Sequence, residues 1–262
     1  RMSPWVSQWR EFFYRVEEAY RRRISRRIPK KTFTDGGLFI AVVGGDGSGK
    51  TTLVSSLYPW LGKEFETLRV HLGKPKWSML TILVRGFLKI FRLAGSQPFL
   101  ETPLVYTNDQ AKIRFPGYPW AIREVCTARD RSLTYSKARR FATNGGIVIS
   151  DRFPLTDIHF MDGPQIERMY GSKPRTKWIQ WLIKKENSFY QSIHDPDLMI
   201  VLKVDPEIAA KRKAEESREG VMARTGEIWI QDWPQPNVNV IDASLPQEEV
   251  LEKAKAVMWS YL

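Results

Sequence analysis

Cysteine, histidine and acidic side chains are all scarce in this sequence, and each shortage excludes something. Cys126 is the only cysteine, so no intramolecular disulfide can form, and a reducing compartment such as the cytoplasm is the expected location. Its simplest role is that of a small apolar residue in the core. His71, His159 and His194 are scattered without metal-ligand spacing. No run of about twenty apolar residues occurs, so nothing reads as a membrane-spanning helix. Internal repeats and low-complexity tracts are absent too. Acids are outnumbered, 29 against 41 Lys and Arg, and the resulting net charge of +12 calls for an anionic partner. Nucleotides, nucleic acid and acidic lipid all qualify on charge alone. The chain begins on Arg1 rather than Met, which leaves room for an upstream segment.

What is present is organised around Gly44-Gly45-Asp46-Gly47-Ser48-Gly49-Lys50-Thr51-Thr52. The apolar run over residues 38–43 is short enough for a fully buried strand, and Leu53 and Leu57 then follow at helical spacing. Residues 44–51 satisfy the phosphate-loop pattern, two glycines separated by four residues and followed by Lys-Thr. Glycines let successive backbone N–H groups converge on phosphate oxygens, and the helix N-terminus adds a favourable dipole. Lys50 is expected to reach the β- and γ-phosphates, and the Thr51 hydroxyl to ligate Mg²⁺. Gly45, Gly47, Ser48, Gly49 and Thr52 complete the nucleotide-binding set.

Elsewhere strands and helices alternate. Residues 1–37 form an N-terminal extension, read as a helix over 4–28 with Trp5, Trp9, Phe12, Val16 and Tyr20 on one face and an arginine-rich end. Packing of that stripe on the domain is expected; contact with a membrane surface or an upstream domain stays open. A strand over 68–72 ends at Gly73-Lys74-Pro75. Residues 79–93 read as a basic amphipathic helix, with Leu80, Leu83, Val84, Phe87, Leu88 and Phe91 set against Arg85, Lys89 and Arg92; packing of the apolar face on the core is expected, with a membrane-facing role as the alternative. A long loop is expected over 94–118, whose Arg114 is either an acceptor contact or a solvated loop arginine, and a helix over 119–144 ends at Gly145-Gly146.

The strand over 147–150 runs into Asp151-Arg152. A carboxylate at a strand tip beside a phosphate loop is where Mg²⁺ finds protein support, and the neighbouring guanidinium fork suits a phosphate; an ordinary ion pair at a strand end is the alternative. A helix over 174–191 is expected to bury Trp178, Trp181, Leu182 and Phe189. A strand over 197–202 leads to a helix from Pro206 that runs into the charge-dense residues 211–218, either a flap over polyphosphate or a solvated face. A last strand over 237–241, the turn Asp242-Ala243-Ser244 and a helix over 246–261 close the chain. Five buried strands alternating with helices predict a doubly wound parallel α/β sheet with helices on both faces.

Five blocks, in order, resemble the thymidylate kinases within the P-loop nucleoside monophosphate kinases. They are residues 44–52; Ala128-Arg129-Asp130-Arg131; Gly145-Gly146-Ile147-Val148-Ile149-Ser150-Asp151-Arg152-Phe153; Asp195-Pro196-Asp197-Leu198 with Val204-Asp205-Pro206-Glu207 and Lys211-Arg212; and Val240-Ile241-Asp242-Ala243-Ser244. The resemblance covers residues 38–262 and implies a five-stranded P-loop NTPase sheet in the order 2-3-1-4-5, with ATP and Mg²⁺ as cofactors. It implies that Asp46 lies near the acceptor's sugar and reacting phosphate. Arg152 would hold the acceptor phosphate, with Arg131 second for the same job, Phe153 beside it and Asp151 near the metal; Lys74, which stands outside the family pattern, is a further acceptor-side candidate and motivates a non-nucleotide acceptor. Asp242, Ala243 and Ser244 would border adenine, and Arg212 would belong to the nucleotide-binding set. Family members bring an arginine to the transferring phosphate from the phosphate loop or the flap; Gly47 occupies the first place, so the flap supplies it, Arg218 first, then Arg212 or Arg224.

The departures from the family pattern fall on the acceptor side or the lid. Gly73-Lys74-Pro75 replaces a glutamate-proline-glycine block, and Thr156-Asp157-Ile158-His159-Phe160-Met161 lacks the amide that meets thymine. Residues 76–118 are inserted, and the helical stretch between flap and last strand is shortened. The expected function is ATP- and Mg-dependent phosphoryl transfer to a (deoxy)nucleoside monophosphate. Two alternatives stand beside it: a kinase of a non-nucleotide acceptor such as a sugar or glycan precursor, and a non-catalytic nucleotide-binding regulatory module. Nucleic acid is not an expected partner, and a homodimer stays open.

Overall fold

The computed structural model describes residues 30–93, 115, 117–155, 158, 162–171 and 176–262. The helix read over 4–28, most of the 94–118 loop with Arg114, and most of the 156–161 stretch lie outside the described residues. Contacts divide the chain into residues 1–31 and 32–262, and all the elements below belong to the second unit.

Five strands, β1 (Leu38–Gly44), β2 (Thr67–His71), β3 (Ile147–Asp151), β4 (Leu198–Lys203) and β5 (Val238–Asp242), pair in parallel in the order β2-β3-β1-β4-β5. This is the expected P-loop NTPase order. The central strands are apolar throughout because both faces of the sheet are covered. In β1, Ile40 and Val42 face one layer while Phe39, Ala41 and Val43 face the other, all fully buried. The edge strands β2 and β5 are only half-buried.

The described helices are α1 (Lys50–Leu61), α2 (Met79–Leu93), α3 (Tyr118–Thr143), α4 (Ile166–Tyr170), α5 (Lys177–Tyr190), α6 (Pro206–Arg212), α7 (Arg218–Ile230) and α8 (Gln247–Trp259). Leu53, Val54 and Leu57 of α1 and Val250, Ala254 and Met258 of α8 close one face of the sheet. Tyr135, Ala138 and Ala142 of α3 and Ile228 of α7 close the other. With β1 between β3 and β4, the loops at the carboxyl ends of these three strands share one crevice, where ligands of such sheets bind. No helix among the described residues is long and apolar enough to cross a membrane.

Three elements differ from expectation. The charge-dense stretch is not one helix: α6 stops at Lys213, and α7 restarts where the Ser217 hydroxyl caps the Gly220 N–H. A serine cap inside a charged run leaves little pattern to read. On α5 the buried residues are Ile179, Leu182, Ile183, Glu186 and Tyr190, while Trp178 and Trp181 stack on each other at the surface, each half exposed. The apolar face of α2 is also turned the other way: Leu83 is 70% exposed while Arg85 turns inward to the Thr127 hydroxyl.

Glu186, 1% exposed, accepts the backbone N–H groups of Gln165 and Ile166 at 3.0 Å each. Burial pushes its carboxyl up to about 7, against the pull of those two N–H donors. The bonds anchor the turn that precedes α4 and carries Asp162.

Candidate active site

The phosphate loop joins β1 to α1, and its glycines are needed for close approach as much as for turning. At Gly47, φ is +77° and a Cβ would stand 2.8 Å from the Ala209 carbonyl on α6. At Gly45 a Cβ would meet the backbone of Thr225 on α7 at 2.7 Å. The lid helices α6 and α7 thus rest directly on the loop, and the Thr225 hydroxyl adds a bond to the Asp46 carbonyl at 3.1 Å. Lys50 opens α1, is 6% exposed and donates to the Gly45 carbonyl. Burial, and next the charge of Arg152, pull its ammonium down to about 8.

A cleft of about 500 Å³ follows the loop. Asp46, Gly47, Ser48, Gly49, Lys50, Thr51 and Thr52 line one wall, and Arg152, Arg212, Ala243 and Leu245 lie around them. Arg212 spans from the Ala243 carbonyl (2.9 Å) to the Gly47 carbonyl (3.4 Å), tying the turn after β5 to the loop. In that turn the Asp242 carboxylate accepts the Ser244 N–H. Leu245, Val250 and Leu251 supply an apolar wall that sequence reasoning did not single out.

On the β3 side, charges gather on Asp46. Arg224 of α7 approaches it at 2.5 Å (Nε to Oδ2) and Arg152 at 3.4 Å. Burial opposes ionisation of Asp46, but Arg224, Lys50 and Arg152 outweigh it and hold the carboxyl below its usual range. Arg224 also reaches Glu216 at 2.8 Å, and Arg152 reaches Asp162 at 3.5 Å. Arg152 has φ +69°, the only positive value at a non-glycine among the described residues. Strain of this kind costs on the order of 1–3 kcal/mol and gathers at functional sites. Here it aims the guanidinium across the loop.

Arg131, 4% exposed, is engaged by the Leu72 and Gly73 carbonyls, the Tyr190 hydroxyl and Asp162. Its fork is spent on the loop after β2, beneath the acceptor side. Asp151, at the β3 tip, is 1% exposed, and neither carboxylate oxygen accepts a hydrogen bond among the described residues; Arg69 stands 3.7 Å away. A buried carboxylate left this way is suited to the water shell of a Mg²⁺ ion held chiefly by phosphates.

Three expected residues do not join this group. Arg218 points outward, 69% exposed, and pairs with Glu207 at 2.5 Å. Phe153 is a core residue set edge-on against Phe39. Lys74 is exposed, and its backbone N–H bonds to His71 Nδ1. Conversely, Asp162, Tyr190, Glu216 and Thr225 contact the candidate residues, and none of the four sits in a local pattern that sequence reasoning could use.

No family model matches the chain. The "Uncharacterized ATP-binding protein YghR" of Escherichia coli (strain K12) is 32% identical over 248 residues, covering 88% of this chain and 90% of the relative. The "Uncharacterized ATP-binding protein YghS" of the same strain is 25% identical over 223 residues, 81% of this chain and 89% of the relative. The "Probable thymidylate kinase" of Picrophilus torridus is 27% identical over 178 residues, 68% of this chain and 67% of the relative.

Proposed function

The chain belongs to the family of the Escherichia coli ATP-binding protein YghR, and from that premise we propose that it binds Mg·ATP and transfers the γ-phosphoryl group to a phosphate-bearing acceptor, a nucleoside monophosphate first. The observation that carries this reading is the meeting of Arg152 and Arg224 on Asp46, beside Lys50 and on the β3 side of the loop. ATP binding needs the loop amides, Lys50 and the Arg212–Ala243 side. It does not need two further guanidinium groups gathered on Asp46.

In the transfer, an acceptor phosphate oxygen bonds to the γ-phosphorus as the bond to the bridging oxygen breaks, and ADP leaves. Little covalent help is required; position and charge neutralisation carry the rate. Lys50 holds the β- and γ-oxygens, Arg224 the transferring group and Arg152 the acceptor phosphate. Thr51 and Asp151 are the residues that would hold Mg²⁺, which neutralises polyphosphate charge when bound with ATP. Asp46, with its carboxyl held low, is a poor base, which favours an acceptor that is already ionised.

The test is ADP release measured with a panel of nucleoside monophosphates. Release that depends on one of them supports the reading. The loop after β2 favours a second reading, a non-nucleotide acceptor such as a phosphorylated sugar: Gly73, Lys74 and Pro75 stand where the resemblance expects a glutamate block, and Gly73 packs against Arg152 and Asp162. ATP consumption with phosphosugars and with no nucleoside monophosphate selects that alternative. Tight Mg·ATP binding without transfer to either class leaves a regulatory module.

Lys50 also sets a pH dependence. Its ammonium loses charge near 8 in the free protein, and polyphosphate restores it. Affinity for Mg·ATP should be level below that pH and fall above it, by up to about tenfold per pH unit. Calorimetry from about pH 7 to about pH 9.5 should therefore show proton uptake that grows with pH. A flat profile would remove Lys50 from the phosphate site.

A further inference from the structure

On α2 the polar side faces the protein and the apolar side faces outward. Thr81 is 1% exposed, and Arg85 donates to Thr127 while lying 4.1 Å over the Trp77 ring. On the opposite face Met79, Ile82, Leu83 and Ile90 are 81, 51, 70 and 65% exposed. A Cβ at Gly86, in the middle of that face, would meet none of the described residues within 4 Å. A stripe of aliphatic groups standing in water marks an interaction surface.

Charge selects its occupant. Residues 67–100 contain no Asp or Glu and carry Arg69, Lys74, Lys76, Arg85, Lys89 and Arg92. Lys76 and Lys89 are exposed at the rim of the apolar stripe, with Trp77 half exposed beside its first turn. An aliphatic stripe, a lysine rim and a tryptophan at one end suit the interface of an anionic bilayer. A second copy would set this cationic rim against itself.

We propose that α2 docks the protein on an anionic lipid surface, with Met79, Ile82, Leu83 and Ile90 among the acyl chains and Lys76 and Lys89 at the headgroup phosphates. The helix is tied to the body where it starts: the Ser78 N–H donates to Asp130 at 3.0 Å, and the Ser78 hydroxyl accepts from Arg129 at 3.1 Å. The same stretch of α3 supplies Arg131, which holds the loop after β2. Docking therefore places the acceptor side of the cleft, rather than the Arg212 side, next to the bilayer.

The test is flotation of the full chain with vesicles of phosphatidylcholine alone and of phosphatidylcholine with phosphatidylglycerol. Binding is expected only to the anionic vesicles and should weaken as salt rises. The double change Leu83→Glu with Ile90→Glu should weaken it about tenfold or more, as should Lys76→Glu with Lys89→Glu. The melting temperature and Mg·ATP affinity should stay at the wild-type values. If the double variant unfolds, Ile82→Ser should still shift binding in the same direction. The proposal is overturned if the wild-type chain does not float. Flotation that survives both pairs of changes also overturns it, because the contact then lies elsewhere, residues 4–28 included. So does a dimer in sedimentation equilibrium that Leu83→Glu dissociates in the absence of vesicle binding.

Discussion

Arg224→Ala is expected to lower kcat by on the order of a thousandfold while leaving Mg·ATP affinity within about threefold. The guanidinium is held over the loop between Asp46 and Glu216. A polyphosphate entering beside Lys50 competes for it with a fuller charge than either carboxylate offers. A fork aimed at the transferring group acts mostly in the transition state, so its loss falls on kcat rather than on binding. Arg224→Lys should recover only part of the rate, since an ammonium cannot reach Asp46 and phosphate oxygens as a planar fork does. Asp46 keeps Lys50 and Arg152 as partners, and Thr225 still bonds to the Asp46 carbonyl, so the fold should survive. Arg218→Ala should change kcat by less than about threefold, because that side chain is engaged outward with Glu207. Steady-state kinetics on the two variants decides between the flap arginines, and a larger loss at Arg218 would restore the expectation drawn from the resemblance.

Arg152→Ala should raise the acceptor KM by on the order of a hundredfold with little change in ATP affinity. The side chain lines the cleft and bridges Asp46 and Asp162, on the opposite side of the loop from Arg212. Two further readouts separate this role from a structural one. Removing its charge should raise the pH at which Mg·ATP affinity begins to fall, because Arg152 is one of the groups that depress Lys50. Arg152→Gly should lose the same activity yet be more stable than Arg152→Ala by about 1 kcal/mol, since glycine adopts the +69° φ without strain. An acceptor KM unchanged in both variants would remove the arginine from the acceptor phosphate.

Some of this was legible in the residue order and some was not. The phosphate loop, the helix it opens and the buried strands around it are written in consecutive residues. Glycine spacing, Lys50-Thr51 and unbroken apolar runs act on their own backbone or on immediate neighbours. The five-stranded order followed from the resemblance of those same local blocks. The partners of Asp46 could not be read this way. Arg152 and Arg224 lie 106 and 178 residues further along the chain, and which flap arginine turns inward depends on how α7 seats against Gly45.

Asp162 is a similar case, because it reaches Arg131 and Arg152 only through a turn that Glu186 holds from another helix. Periodicity gave α2 an apolar face and with it the expectation of core packing, which the structure reverses. Packing against α3 turned Thr81 and Arg85 inward and left the aliphatic side open. By itself the sequence determined the phosphate loop and its helix, because neighbouring residues shape a backbone directly. Only the tertiary structure decided which distant charges meet there and which face of α2 stays outside, because both depend on how separately formed elements dock.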